Sequence, residues 1–275
     1  MKNSKHISIV IVLIILMFAA GVFCGYRLSR NTPDEPGPEL ISTTSYTEPV
    51  SPSPAAETET GPSVPEESIP EECFNYLAIG NSITRHRTTD FWWNPVGMAA
   101  SDEEHDYYHI VLGYLENRYG NVNGVIYNFS PWEGKEDHRD EEFKHIDKYL
   151  DPDLDLITIQ MGENVSDLST YQEDYITLLK YIHEKAPNAR ILVIGDFWTN
   201  EERDRIEFYA CAVTCAEYVS LDGIAGNDEY YCGLGTTVYD KDGNEHTVEN
   251  EGVAMHPGDA GMQAIAERII EALEN

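Results

Sequence analysis

Positive charge is what this chain has least of: across 275 residues, 18 Lys and Arg stand against 49 Asp and Glu, a formal net charge of −31 at pH 7. Such a surface repels phosphate backbones and anionic lipid headgroups, which excludes nucleic acid as a partner. Cysteine is also scarce, at five residues. Cys211 and Cys215 lie one helical turn apart with Cys232 in reach of either, and they read as core thiols or one disulfide. No nearby histidine completes a zinc pattern with them. His105 and His109 have helical ligand spacing but belong to a solvated helix with Tyr107 and Tyr108 between them, and Asp240 to Asn244 lacks the spacing of a calcium loop. No metal and no cofactor is expected, and no internal repeat is present.

Two stretches are defined by what is missing from them. Ile7 to Gly25 is nineteen residues without a charged side chain, about the length needed to cross a bilayer as a helix. Lys2 and Lys5 before it are balanced by Arg27 and Arg30 after it, so orientation is argued from the acidic tract beyond, which suits the outside. Residues 1–30 are read as an uncleaved membrane anchor, with a cleaved signal peptide and a secreted protein as the alternative. Residues 31–72 contain no Lys or Arg and nine of the fourteen prolines. That composition cannot bury enough apolar surface to offset its ordering entropy, so it is expected to be a disordered tether between the membrane and a globular domain.

Residues 73–275 are expected to form that one domain, with 14 basic and 39 acidic residues. Short apolar runs alternate here with helical patterns. Strands are expected at Tyr76 to Gly80, Val125 to Phe129, Asp155 to Met161, Arg190 to Gly195 and Tyr218 to Leu221. Helices are expected from a capping box at Ser101 to Tyr119, over Glu136 to Tyr149, Thr170 to Lys185 and Glu201 to Glu217, and from a cap at Asp259 to Leu273. A β-hairpin interrupts the rhythm between Thr236 and Val248. The alternation predicts an α/β fold with a mostly parallel five-stranded sheet and helices on both faces.

In such a sheet, ligands bind beyond the carboxyl ends of the strands. The first strand runs into Gly80-Asn81-Ser82-Ile83-Thr84, the second into Asn128-Phe129-Ser130, the third into Gly162-Glu163-Asn164, and His256-Pro257-Gly258-Asp259 precedes the last helix. Ser82 is either a helix cap or a nucleophile. A serine, a histidine and an amide converging on one sheet edge are the parts of an acyl-transfer site.

These blocks, in this order, resemble the SGNH, or GDSL-type, hydrolases. The resemblance spans nearly all of 73–275 and implies a flavodoxin-like three-layer domain that cleaves esters. It implies Ser82 as nucleophile, His256 as general base, and Asn164 with the N–H groups of Ser82 and Ser130 as oxyanion donors. The chain departs from the family's pattern in having Asn81 for the usual Asp, Ser130 for the usual Gly and Val253 for the acid three residues before the histidine. In place of that acid stands a backbone carbonyl, Glu251 or Glu249. Trp92, Trp93, Trp132, Glu133 and Glu163 are candidate substrate-binding residues or ordinary packing and loop ligands. The expected function is a cell-surface esterase removing an acyl group, most simply an O-acetyl, from a carbohydrate. The alternatives are an O-acyltransferase with the same chemistry and an inactive glycan-binding module.

Overall fold

The structure, a computed structural model, describes residues 73–135 and 138–275; the expected anchor and tether lie outside these. Among the described residues no helix is long and apolar enough to cross a membrane. The strands are β1 (Phe74–Gly80), β2 (Val122–Asn128), β3 (Leu156–Gln160), β4 (Arg190–Ile194) and β5 (Ala216–Val219), all parallel, in the order β2-β1-β3-β4-β5. The helices are α1 (Tyr107–Tyr119), the single turn α2 (Ser130–Glu133), α3 (Tyr171–Lys185), α4 (Glu201–Ala212), the single turn α5 (Glu251–Ala254) and α6 (Asp259–Glu274). A separate hairpin pairs β6 (Thr237–Tyr239) with β7 (Glu245–Thr247).

The central strands are buried on both faces, so their apolar residues run continuously and sort by parity. Leu77, Ile79, Ile157, Ile159, Ile191 and Val193 face one layer, with Tyr171, Tyr175, Leu178 and Ile182 of α3 and Ile206 of α4. Tyr76, Ala78, Leu156, Leu192 and Ile194 face the other, with Val111 and Leu115 of α1 and Met262, Ile265 and Ile269 of α6. The result is the three-layer α/β/α sandwich expected from the alternation. A third cluster, Trp92, Val96, Met98, Val238, Val248 and Val253, seats the hairpin and α5 beside the sandwich.

Several boundaries differ from expectation for local reasons. The first helix begins at Tyr107 because two aspartates compete to start it. Asp102 caps only a 3-10 turn over Glu103–His105, and Asp106 accepts from His109 N and caps α1 itself. Of the helix expected over Glu136 to Tyr149, the described residues form instead two 3-10 segments, Arg139–His145 and Asp147–Tyr149. The helix expected over Glu201 to Glu217 stops at Ala212, and β5 begins at Ala216 rather than Tyr218. Asp259 is the first residue of α6 and caps nothing; its carboxylate accepts from Ser101 N at 2.7 Å. The four described cysteines are free thiols, so no disulfide joins Cys211 or Cys215 to Cys232.

Candidate active site

The site is built on β1, the strand at which the sheet order reverses, with β2 on one side and β3 on the other. At Gly80 a Cβ would stand 1.8 Å from Thr84 Oγ1 and 2.5 Å from the Gln160 carbonyl, so only glycine lets the strand turn there. The chain then tightens: Arg85 N returns to the Asn81 carbonyl at 3.0 Å, and Met98 N donates to the Ser82 carbonyl at 2.8 Å. No helix begins at this turn, so Ser82 has nothing to cap. Its hydroxyl lies 2.8 Å from His256 Nε2.

His256 comes from the far end of the chain and is aimed by a main-chain atom. Asn250 Oδ1 accepts from Val253 N and starts α5, and Pro257 prevents the helix from continuing past His256. His256 N, the helical partner of the Gly252 carbonyl, donates instead to the Val253 carbonyl at 2.9 Å, and the His256 ring takes its place on Gly252, with Nδ1 2.7 Å away. A carbonyl only accepts, so Nδ1 carries the proton and Nε2 presents its lone pair to Ser82. Trp198 stands edge-on to the ring, with centroids 4.9 Å apart at 86°, and its Nε1 donates to the Met255 carbonyl at 3.0 Å. Burial pulls the imidazole down to about 4, opposed by the Gly252 carbonyl and reinforced by nearby His86. The ring is therefore neutral, as a proton acceptor must be.

The carboxylates expected to assist the histidine do not fill that role. The ring nitrogen that Glu251 would hold is occupied by Gly252, and the exposed Glu251 begins α5. Val253, at the position of the family's acid, is buried among Trp92, Met98 and Val238. A carboxylate there would point into apolar packing rather than at the ring.

Asn164 lies just past β3 and is exposed, and its amide is anchored from behind. Glu133 Oε2 accepts from Asn164 Nδ2 at 2.7 Å, which uses one of the two amide hydrogens. Glu133 Oε1 accepts from Gly162 N at 2.7 Å, Asn164 N at 3.3 Å and Asn81 Nδ2 at 3.2 Å. Glu163 Oε2 accepts from Asn81 Nδ2 at 2.6 Å, and its Oε1 accepts from Gln160 Nε2 at 2.5 Å and Phe197 N at 3.2 Å. Glu133, at 1% exposure, and Glu163 are thus loop ligands rather than substrate contacts. Asn81 replaces the family's usual Asp for a visible reason: its neighbours are two carboxylates, and it must donate to both. The Ser82 N–H donates to no acceptor among the described residues, whereas the Ser130 N–H is taken by Asn128 Oδ1 at 3.0 Å. Ser130 therefore does not offer the free oxyanion donor expected of it.

The tryptophans singled out in the sequence are packing residues. Trp92 and Trp132 are fully buried, the first in the hairpin cluster, the second against Tyr171 and Tyr175 with the Arg139 guanidinium 5.3 Å from its ring. Trp93 stacks on His246, with centroids 4.4 Å apart. The aromatic that does meet the histidine is Trp198, which lies just past β4; the strand-end logic applied to the first three strands points to it as well. Arg203 of α4 was also not anticipated. It pairs with Asp196 and donates to the carbonyls of Glu163 at 3.3 Å and Trp198 at 3.3 Å, tying the loops after β3 and β4 together.

No family model and no curated protein sequence matches the chain. Solved structures do resemble it. A two-domain esterase active on acetylated mannans, co-crystallised with mannopentaose, has a TM-score of 0.50 at 15% identity, covering 74% of this chain and 50% of that one. Phospholipase A1 from Streptomyces albidoflavus has a TM-score of 0.48 at 13% identity, covering 72% and 98%. A family two carbohydrate esterase from Cellvibrio japonicus has a TM-score of 0.46 at 14% identity, covering 73% and 60%. The chain spans about half the length of the two-domain esterase. The likeness to the two-domain esterase concerns the fold alone.

Proposed function

We propose that the chain is a serine ester hydrolase of the SGNH type. The observation that carries this reading is the 2.8 Å approach of Ser82 Oγ to His256 Nε2 with Nδ1 bound to a carbonyl. In the reaction, Ser82 Oγ attacks the ester carbonyl carbon while Nε2 takes the hydroxyl proton. The carbonyl oxygen becomes an oxyanion, received by the Ser82 N–H and the second hydrogen of the Asn164 amide. Collapse expels the alcohol, which leaves with the proton from His256, and water repeats the sequence on the acyl-enzyme.

A neutral carbonyl fixes the tautomer as a carboxylate does but gives the transient imidazolium no opposite charge. The attraction between imidazolium and an adjacent carboxylate is absent, so this dyad is expected to turn over more slowly than a full triad. The substrate class we propose is an O-acetylated carbohydrate at the cell surface. It is supported by the anchor-and-tether reading of residues 1–72, by half-buried Trp198 beside the histidine, and by the anionic surface, which disfavours phospholipid headgroups.

The test is hydrolysis of p-nitrophenyl acetate by the full-length protein beside Ser82→Ala and His256→Ala. Each variant is expected to lose about 10³-fold or more in kcat. Equal rates in all three sink the enzyme reading. Acetate released from acetylated mannan in water, against acetyl transferred to an added oligosaccharide, separates hydrolase from acyltransferase.

A further inference from the structure

Glu133 belongs to neither half of the Ser82–His256 pair, yet it is the residue on which two of the site's segments converge. Its two oxygens receive four N–H groups: Asn81 Nδ2 from the turn after β1, and Gly162 N, Asn164 N and Asn164 Nδ2 from the loop after β3. It is supplied by the single turn α2 at the end of β2, where Trp132 is locked into the core and fixes the position of the next side chain. Four donors directed at two oxygens match an ionised carboxylate, which only accepts; a carboxamide would turn an N–H₂ toward one set of donors.

We propose that Glu133 is a positioning residue that holds the Asn164 amide in the orientation in which its remaining hydrogen receives the oxyanion. The inference rests on the reading of Asn164 as an oxyanion donor. A side-chain amide on an exposed loop is free to rotate about its terminal torsion. With Nδ2 tied to Glu133 Oε2 and the backbone N of the same residue tied to Oε1, both ends of that torsion are referred to one buried carboxylate. The Asn81 amide completes the brace: it donates to Glu133 and Glu163 at once, so the nucleophile's turn and the oxyanion loop are registered against each other.

Burial, and after it the charge of Glu163, pushes the Glu133 carboxyl up to about 7, against the pull of the donors from Asn164, Gly162 and Asn81. The brace is therefore measured at about pH 8, where the carboxylate is ionised.

The experiment compares the full-length wild type with Glu133→Gln and Glu133→Asp, reading p-nitrophenyl acetate kinetics and the side-chain amide resonances of Asn164, assigned by their loss in Asn164→Ala. For Glu133→Gln, kcat is expected to fall about 10–100-fold with KM within about twofold, because the donor acts on the transition state more than on bound ester. Its Asn164 amide protons are expected to move toward the positions of a freely rotating carboxamide. Glu133→Asp keeps the charge on a shorter arm and is expected to recover part of kcat and of the amide shift. Wild-type kcat in Glu133→Gln with unmoved Asn164 resonances overturns the proposal. If Glu133→Gln does not fold, a Glu133→Asp variant with unmoved resonances and wild-type kcat overturns it in the same way. Should Ser82→Ala hydrolyse as fast as wild type while the Asn164 resonances track Glu133, the esterase reading fails and the brace stands without its catalytic purpose.

Discussion

Replacing Asn81 by Asp gives the chain the residue its resembled family usually carries, and it is expected to damage this protein. The Asn81 Nδ2 atom lies 2.6 Å from Glu163 Oε2 and 3.2 Å from Glu133 Oε1. An aspartate oxygen in its place faces two carboxylates at hydrogen-bond distance. At an effective dielectric constant of about 20, like charges roughly 3 Å apart repel by about 5 kcal/mol, and two donated hydrogen bonds are lost as well. Binding one proton within the trio is the cheaper solution. Its cost is about 1.4 kcal/mol for every pH unit above an ordinary carboxyl value near 4, hence roughly 5 kcal/mol at about pH 8 and 1–2 at about pH 5. Below about pH 7 the folded wild type already holds such a proton on Glu133 and releases it above, whereas the variant keeps it, so the variant's stability relative to wild type falls as pH rises beyond about 7. The assay is denaturant unfolding of both proteins across that interval, beside ester hydrolysis. The expected difference is flat below about pH 7 and has a slope of about −1.4 kcal/mol per pH unit above it, with kcat reduced throughout. A difference that stays flat from about pH 7 to 9, or an Asn81→Asp enzyme as active as wild type, refutes the account of Asn81 as an obligatory donor.

The same geometry sets two further expectations. Val253→Asp restores the family's acid in sequence but places a carboxylate among Trp92, Met98 and Val238. It is expected to lower the thermal midpoint, by an amount corresponding to about 3 kcal/mol or more, without raising kcat, as calorimetry and p-nitrophenyl acetate kinetics will report. In the pH profile of kcat, the wild type is expected to lose activity as pH falls through about 7, where Glu133 takes up a proton, while His256 stays neutral down to about 4. Glu133→Gln should abolish the upper limb and leave a low rate that persists toward the lower one; an unchanged upper limb assigns it to another group.

The layered fold was legible because burial on both faces of a parallel sheet leaves a mark on composition. Runs such as Leu77 to Ile79 and Ile191 to Ile194 are apolar without alternation, and the turns that end them carry the chemistry. Ser82 and Asn164 were legible for the same reason, as polar residues directly after buried strands. What was not legible is mostly a matter of partners. Nothing in the sequence around Glu133 or Glu163 says that their charges face inward, because the donors that make this tolerable come from segments tens of residues away. The same blindness leaves Trp92 and Trp132 undecided in the sequence between substrate contact and packing: large rings in loop sequence are core when a hairpin or a single helical turn folds over them. The expected helix before β3 failed because a charged amphipathic pattern does not separate an α-helix from successive 3-10 turns.

The third member of the constellation, the Gly252 carbonyl, is specified by no codon. An alanine scan would pass over it, since every side chain nearby can be truncated while the oxygen remains, and a search for missing acids in related sequences would find nothing to report. What maintains it is the shape of one helical turn: Asn250 to start it, Pro257 to stop it and Val253 to seat it. Selection for a poised histidine would therefore act on three residues outside the Ser82–His256 pair, and substitutions at Asn250 or Pro257 would register as changes in how well Ser82 is activated.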